Sequence, residues 1–270
     1  MADTLESILL VYQNPVEGRL FEFDDWYTNI HIRDAMRLDS ALATQRFCIG
    51  EEQPVLDGKA TAPALWAHTI YEWNSARRSV DGHLEYACTP RMEISRDGDF
   101  TGLRDYFYKP EYLSHGWTRE AGFRRGSEIL TALIQPKSDF ATFRKWFEEV
   151  HAPDTLAMPG FGSASLFSLH EVQHLPSTTE FPVVAIYGMT DRSPALKAWA
   201  QRHDSQSSCD LSAQVEKLEI GAWQSRIERL RVEDVIDPTP EAAARESKAR
   251  EAYAGTYLSK DELDRALSTV

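Results

Sequence analysis

At 270 residues, with 42% hydrophobic and 26% charged side chains, the chain has the composition of a folded globular protein, long enough for one large domain or two small ones. Its net charge of −13 argues against nucleic acid and against an anionic membrane surface, because both require clustered Lys and Arg. No run reaches the roughly 18 apolar residues of a spanning helix, the start MADTLESILLVYQN lacks a signal-peptide pattern, and Cys48, Cys88 and Cys209 form no C-x-x-C, so a cytoplasmic protein with single thiols is expected.

In chain order, residues 8–13 are a short apolar run stopped by Asn14-Pro15, which predicts a strand. Residues 23–36 carry Phe23, Trp26, Tyr27 and Ile30 at helical spacing. Residues 42–50 alternate around Phe47 and Ile49, and residues 65–73 are rich in strand formers. A second helix is expected within residues 75–88 and a closing strand at 103–108. Residues 114–126, with their glycines and Arg124-Arg125, predict an exposed linker.

The pattern then starts again. Trp26 opens WYTNIHIRD and Trp146 opens WFEEVHAPD, both W-[YF]-x-x-[IV]-H-x-x-D. Phe47 matches Phe167, and AHTIYEW from Ala67 matches VVAIYGM from Val183. Strands or helices are thus expected at 129–135, 140–157, 163–169, 183–189, 194–203 and 223–230. The chain divides into a first βαββαβ module at 1–113, a linker at 114–126, a second module at 127–230 and a helical arm at 231–270. In the arm, residues 241–254 predict an exposed helix. Ser259 to Glu262 fits a capping box before a short last one.

The second copy contains His151-Ala-Pro153-Asp154, followed by Pro159-Gly160-Phe161. This H-x-P…P-G-F pattern resembles EthD-like members of the dimeric α+β barrel superfamily. The first copy departs from it, with Arg33 and Asp39-Ser40-Ala41 at those places. The resemblance implies an α+β fold in which two ferredoxin-like modules pair sheet to sheet within one chain, an intramolecular version of the barrel that separate chains usually form. One fold hosts many chemistries, and the superfamily includes cofactor-free monooxygenases, cyclases, isomerases and haem enzymes.

Chemistry is expected where the copies differ. Tyr12 faces Ala132, Arg46 faces Leu166, His68 faces Val184, and Glu72 faces Gly188. Polar groups gathered in one copy point to use, because burying them without a partner costs several kcal/mol. His31, on one helix face with Tyr27 and Asp34, is the expected general base or acid. Arg46 would hold a carboxylate or oxyanion, Tyr12 and His68 would donate to a carbonyl or enolate, and Glu72 would orient His68 or serve as a second proton carrier. Tyr27, Trp66, Trp73, Phe47 and Asp34 would line the substrate site. The expected activity is a cofactor-independent lyase or isomerase acting on a small aromatic or apolar carbonyl compound. The alternatives are a cofactor-independent or haem-dependent oxygenase, with a lone His as haem ligand, and a non-catalytic binding or scaffold protein. His31, His68 and Glu72 also make a two-His, one-carboxylate set, but no dense ligand motif is present, so neither metal nor cofactor is expected. The arm offers a surface for a homodimer.

Overall fold

Strand β1 (Ser7–Pro15) sends Ile8, Leu10 and Tyr12 to one side and Leu9 and Val11 to the other, and all five are buried. A strand with two apolar faces needs cover on both. Here a closed barrel interior covers one face and helices cover the other. The protein was analysed as a computed structural model, which describes residues 4–61, 63–175, 179–205 and 207–268. The first three and last two positions, where the expected first module begins and the arm ends, lie outside the described residues.

In the first half, β1 is followed by α1 (Leu20–Trp26), a π-helical turn (Tyr27–His31) and α2 (Ile32–Met36). Then come β2 (Ala41–Ile49), a small hairpin of β3 (Val55–Leu56) and β4 (Lys59–Ala60), β5 (Ala67–Trp73), α3 (Ala76–Tyr86) and β6 (Gly98–Leu113). The second half repeats the order: β7 (Glu128–Pro136), α4 (Phe140–Trp146), a π-helical turn (Phe147–His151), α5 (Ala152–Ala157), β8 (Phe161–Leu169), β9 (Val183–Met189), α6 (Arg192–Asp204) and β10 (Val215–Ser225). Each half places its strands fourth-first-third-second, the ferredoxin-like order. The halves join where β6 pairs with β8 and β10 pairs with β2, which closes an eight-stranded antiparallel barrel.

Three expectations change. Strand β6 is far longer than residues 103–108, because its first part pairs with β1 and its last part with β8. Strand β10 starts eight residues before the expected 223, through a segment whose Glu216, Lys217 and Glu219 hide its alternation. The supposed exposed linker is partly internal: Phe123 is 1% and Arg125 2% exposed. Phe123 packs on Phe167 at 5.3 Å, and Arg125 reaches Glu72, so this segment seals one end of the barrel.

Pro159-Gly160-Phe161 has a structural reason. Gly160 takes φ +85°, and a Cβ there would lie 2.6 Å from the Ala195 backbone nitrogen at the start of α6. Only Gly tolerates both conditions.

Beyond β10 come β11 (Leu230–Arg231), α7 (Val232–Ile236), α8 (Pro240–Tyr253) and α9 (Lys260–Leu267). The arm folds back onto the first module. Arg37 grips Glu246 with two 2.8 Å bonds, Arg250 pairs with Asp34, and the Tyr253 hydroxyl donates to Asp25 at 2.9 Å. Ser259 and Glu262 form the capping box that starts α9. Leu263, Ala249 and Ala242 turn inward, while Ile236 at the end of α7 stays exposed.

Candidate active site

The first module holds a cavity of about 360 Å³ between its helices and the outer face of its sheet. Leu9, Val11, Leu103, Tyr71 and Asp105 rise from the sheet. The π-helical turn contributes Tyr27 and His31, and α3 contributes His83. A π-turn brings positions five apart into line, and Trp26 accordingly stacks on His31 with ring centroids 4.9 Å apart. The loop between β8 and β9 adds His174 and Leu175 from the second module, and Leu263 and Leu267 of α9 form the roof. The wall is mainly apolar, which suits an apolar small molecule held by a few polar groups.

Those polar groups differ in charge. Burial pushes the His31 imidazole down to about 3, helped by the positive fields of His83 and Arg46, so it is neutral at pH 7. Its Nδ1 is buried with no hydrogen-bond partner. His83 falls to about 4, first from burial and then from neighbouring His174. Its Nδ1 contacts the Ser79 carbonyl at 2.8 Å. A carbonyl only accepts, so Nδ1 carries the hydrogen and Nε2 keeps the lone pair. Burial also lowers His174, but the charge of Asp105 and its hydrogen bond outweigh that and raise it above the ordinary value. Its Nδ1 lies 3.3 Å from Asp105 Oδ2. One pocket thus holds two imidazoles whose burial favours the neutral form and a third, His174, paired with the Asp105 carboxylate and shifted the opposite way, which is the equipment for moving protons.

Of the side chains singled out from sequence, only Tyr27 and His31 line this cavity. Tyr12, His68 and Phe47 face the barrel interior, where Tyr12 stacks on His68 at 4.1 Å and the Tyr12 hydroxyl donates to Thr131 at 3.4 Å. Both His68 ring nitrogens are buried without partners. Glu72 does not meet His68. It accepts from Arg125 at 2.5 Å, Arg229 at 2.7 Å and Trp117 at 2.7 Å. Burial raises its pKa, but the two arginines overcome this and bring it to about 2. Arg46 does face the helices, yet its guanidinium is engaged by Asp24 and lies 4.6 Å over the Tyr27 ring. Trp66 lies beyond Arg46, at 5.7 Å. Trp73 is core behind Tyr71 and His83. Asp34 turns away to Arg37 and Arg250. Strand parity accounts for the split: Tyr71 and Trp73 of β5 point to the helices, while His68, Ile70 and Glu72 point into the sealed barrel.

His83, Asp105 and His174 were not singled out. A signal existed for the first two. His83 stands in α3 where α6 has Trp199. Asp105, opposite Val11, stands where Ile220 lies opposite Ala132. His174 belongs to a loop outside the repeat and gave no signal.

In the second module the equivalent His is packed in on every side by described residues. His151 is 0% exposed. Its Nδ1–H donates to the Cys209 carbonyl at 2.7 Å, and its Nε2 accepts from the Tyr187 hydroxyl at 2.8 Å. Trp199 packs on it at 6.0 Å. With both nitrogens occupied, His151 offers no lone pair to a haem iron. In the first module, Nδ1 of His31 is buried without a partner, and His83, His174 and Asp105 stand in the same cavity. Among the described residues, no cluster of three His, Cys, Asp or Glu side chains could hold a metal ion, and no helix is long and apolar enough to cross a membrane.

No family model matches the chain, and no curated protein matches it by sequence. Solved structures share its fold. An anthrone oxidase-like protein superposes with a TM-score of 0.52 at 13% identity, covering 86% of this chain and 94% of that one. A candidate monooxygenase from Fusobacterium nucleatum gives 0.48 at 8% identity over 84% and 95% of the chains. A chlorite dismutase variant from Candidatus Nitrospira defluvii, in complex with cyanide, gives 0.48 at 8% identity over 90% and 94%. The likeness is one of fold, an α+β barrel.

Proposed function

We propose that this chain is a cofactor-independent oxygenase that removes a proton from an activated carbon of an apolar aromatic carbonyl compound and lets molecular oxygen take up the resulting carbanion. The observation that carries the reading is the pair of neutral imidazoles, His31 and His83, set in an apolar cavity with the His174–Asp105 pair. A neutral imidazole carries a lone pair on one ring nitrogen, and Nδ1 of His31 is buried with no partner to occupy it. The carbon–hydrogen electron pair passes to carbon and spreads onto the carbonyl oxygen. Dioxygen then forms a bond to that carbon, and the peroxide anion is protonated. Loss of the second proton from carbon breaks the O–O bond, forms C=O and releases water. The methylene loses four electrons, and dioxygen gains four. The anthrone oxidase-like neighbour shares only the fold, but its printed name suggests anthrone as the first probe.

The same proton transfer without oxygen would make the chain an isomerase or lyase. The His174–Asp105 pair favours this second reading, since a proton donor opposite a base can return a proton to carbon. Oxygen uptake with anthrone decides between them. Uptake should appear with the native chain and fall at least about 10²-fold in His31→Gln/His83→Gln. Full activity in that variant would end both readings, and anaerobic conversion would favour the second.

We also read the chain as a fused duplication of an EthD-like module, divided at 1–113, 114–126, 127–230 and 231–270. The polar pocket falls in the first copy. Its three free cysteines suit a cytoplasmic protein.

A further inference from the structure

We infer that the second module supplies the proton donor of the first module's pocket: His174, held by Asp105, protonates the oxygen that becomes anionic during turnover. This rests on the acid–base reading above and assigns one step within it.

His174 reaches the site by a built route. It lies in the β8–β9 loop, and that loop is fastened to β6 beside the pocket. The His170 amide donates to the Phe107 carbonyl at 2.8 Å. The Gln173 side chain grips Phe107 on both sides, accepting from its amide and donating to its carbonyl, each at 2.9 Å. Phe107 is two residues from Asp105 on the same strand, so the anchor and the carboxylate move as one unit. Asp105 then holds His174 Nδ1 at 3.3 Å, which leaves Nε2 as the nitrogen able to give a proton away.

The groups around His174 divide the labour. Asp105 faces it from β6, His83 from α3 with ring centroids 5.2 Å apart, and Lys260 from α9. The carboxylate outweighs the lysine, so His174 is shifted toward holding its proton while His31 and His83 are shifted toward releasing theirs. Asp105 Oδ1 is buried without a partner, so the whole hydrogen-bonding effort of that carboxylate among side chains goes to His174. In the proposed turnover, a neutral imidazole takes the carbon's proton and His174 gives one to the peroxide oxygen. His83, whose lone pair is on Nε2, stands next to His174 to hand a proton back. His174 is thus a catalytic residue and Asp105 a positioning residue.

The test uses the full chain with anthrone as probe and reads two quantities. One is exchange of solvent deuterium into the probe's methylene without oxygen, which reports proton removal. The other is oxygen uptake. His174→Gln should keep exchange within about twofold of native and lose about 10²-fold in oxygen uptake. Retained exchange also shows that the variant is folded. Asp105→Asn should shift the alkaline limb of the uptake profile to lower pH, because the imidazolium loses the charge that holds its proton. Native uptake in His174→Gln, equal loss of exchange and uptake, or an unmoved alkaline limb in Asp105→Asn would each overturn the assignment. If the native chain neither exchanges nor consumes oxygen, the parent reading fails and this step falls with it.

Discussion

The two histidines of the repeated motif sit on the same π-helical turn, yet one is locked and the other free. His151 has both ring nitrogens bonded and Trp199 against its ring. His31 keeps the aromatic stack with Trp26 but has lost the rest. The tyrosine matching Tyr187 is Tyr71, and it donates instead to the Tyr27 hydroxyl at 3.4 Å. Tyr27 stands where the second module has Phe147 and keeps its ring against His31 at 4.8 Å, while its hydroxyl draws off Tyr71. His83 stands where the second module has Trp199, and the smaller ring leaves space. A few substitutions against one scaffold thus turn a filled core into a lined cavity, while the other copy shows what the scaffold does when it only packs.

The largest expected effects break this contrast in activity. His31→Gln/His83→Gln should lower turnover about 10²- to 10⁴-fold, whereas His151→Gln should leave it within about twofold, measured as oxygen uptake per folded chain. Equal losses in the two would mean that the histidines share a structural role. Stability should show the reverse pattern. Trp199→Ala removes a 1%-exposed side chain from the second core and should cost about 3–5 kcal/mol in urea unfolding. His83→Ala, at a cavity wall, should cost less than about 1.5 kcal/mol.

Inside the barrel the contrast lies between Glu72 and Gly188. A Cβ on Gly188 would meet the Arg125 carbonyl oxygen at 2.5 Å, so the second copy leaves room for the segment whose arginine the first copy binds. Glu72→Ala would strand Arg125 and Arg229 near the sealed end and should cost about 3–5 kcal/mol. If turnover per folded molecule is unchanged, Glu72 is structural, in contrast to the proton-carrying part that the sequence suggested for it.

Most of the fold could be read from the sequence because a tandem repeat states each element twice. Register was less legible. The sequence pairs Tyr12 with Ala132, but Leu10 and Thr131 are the residues set against Ile70 and Ile186, so Tyr12 corresponds to Leu133. A slip of one residue changes the face of a strand, and Ala132 indeed faces helices while Tyr12 faces the barrel. The same parity problem put His68 and Glu72 into an imagined pocket with His31. Two faces that are both buried look alike in sequence, since both demand apolar neighbours. Asp105 lay inside the expected strand at 103–108, and its contrast with Ile220 shows only once the strand register is fixed, while His174 was hidden by its place in a loop that crosses to the other half.

The smallest effect sharpens the comparison through pH. Burial holds His151 down to about 3, with the nearby Arg202 guanidinium adding to the effect. Its folded pKa lies below the unfolded value, so the unfolded chain binds the extra proton between the two. The contribution is therefore present above about pH 6.5 and is lost as the pH falls toward the folded value. One such group can add at most ~1.4 kcal/mol per pH unit to the slope of stability. Urea unfolding of native and His151→Gln protein at pH 7, 6 and 5 should give a shallower decline in the variant. His31→Gln should flatten the curve by a similar amount, because burial holds that imidazole down to about 3 as well. Parallel curves for native and His151→Gln would mean that water already reaches the second module's His, and the contrast between a filled copy and an open one would be lost.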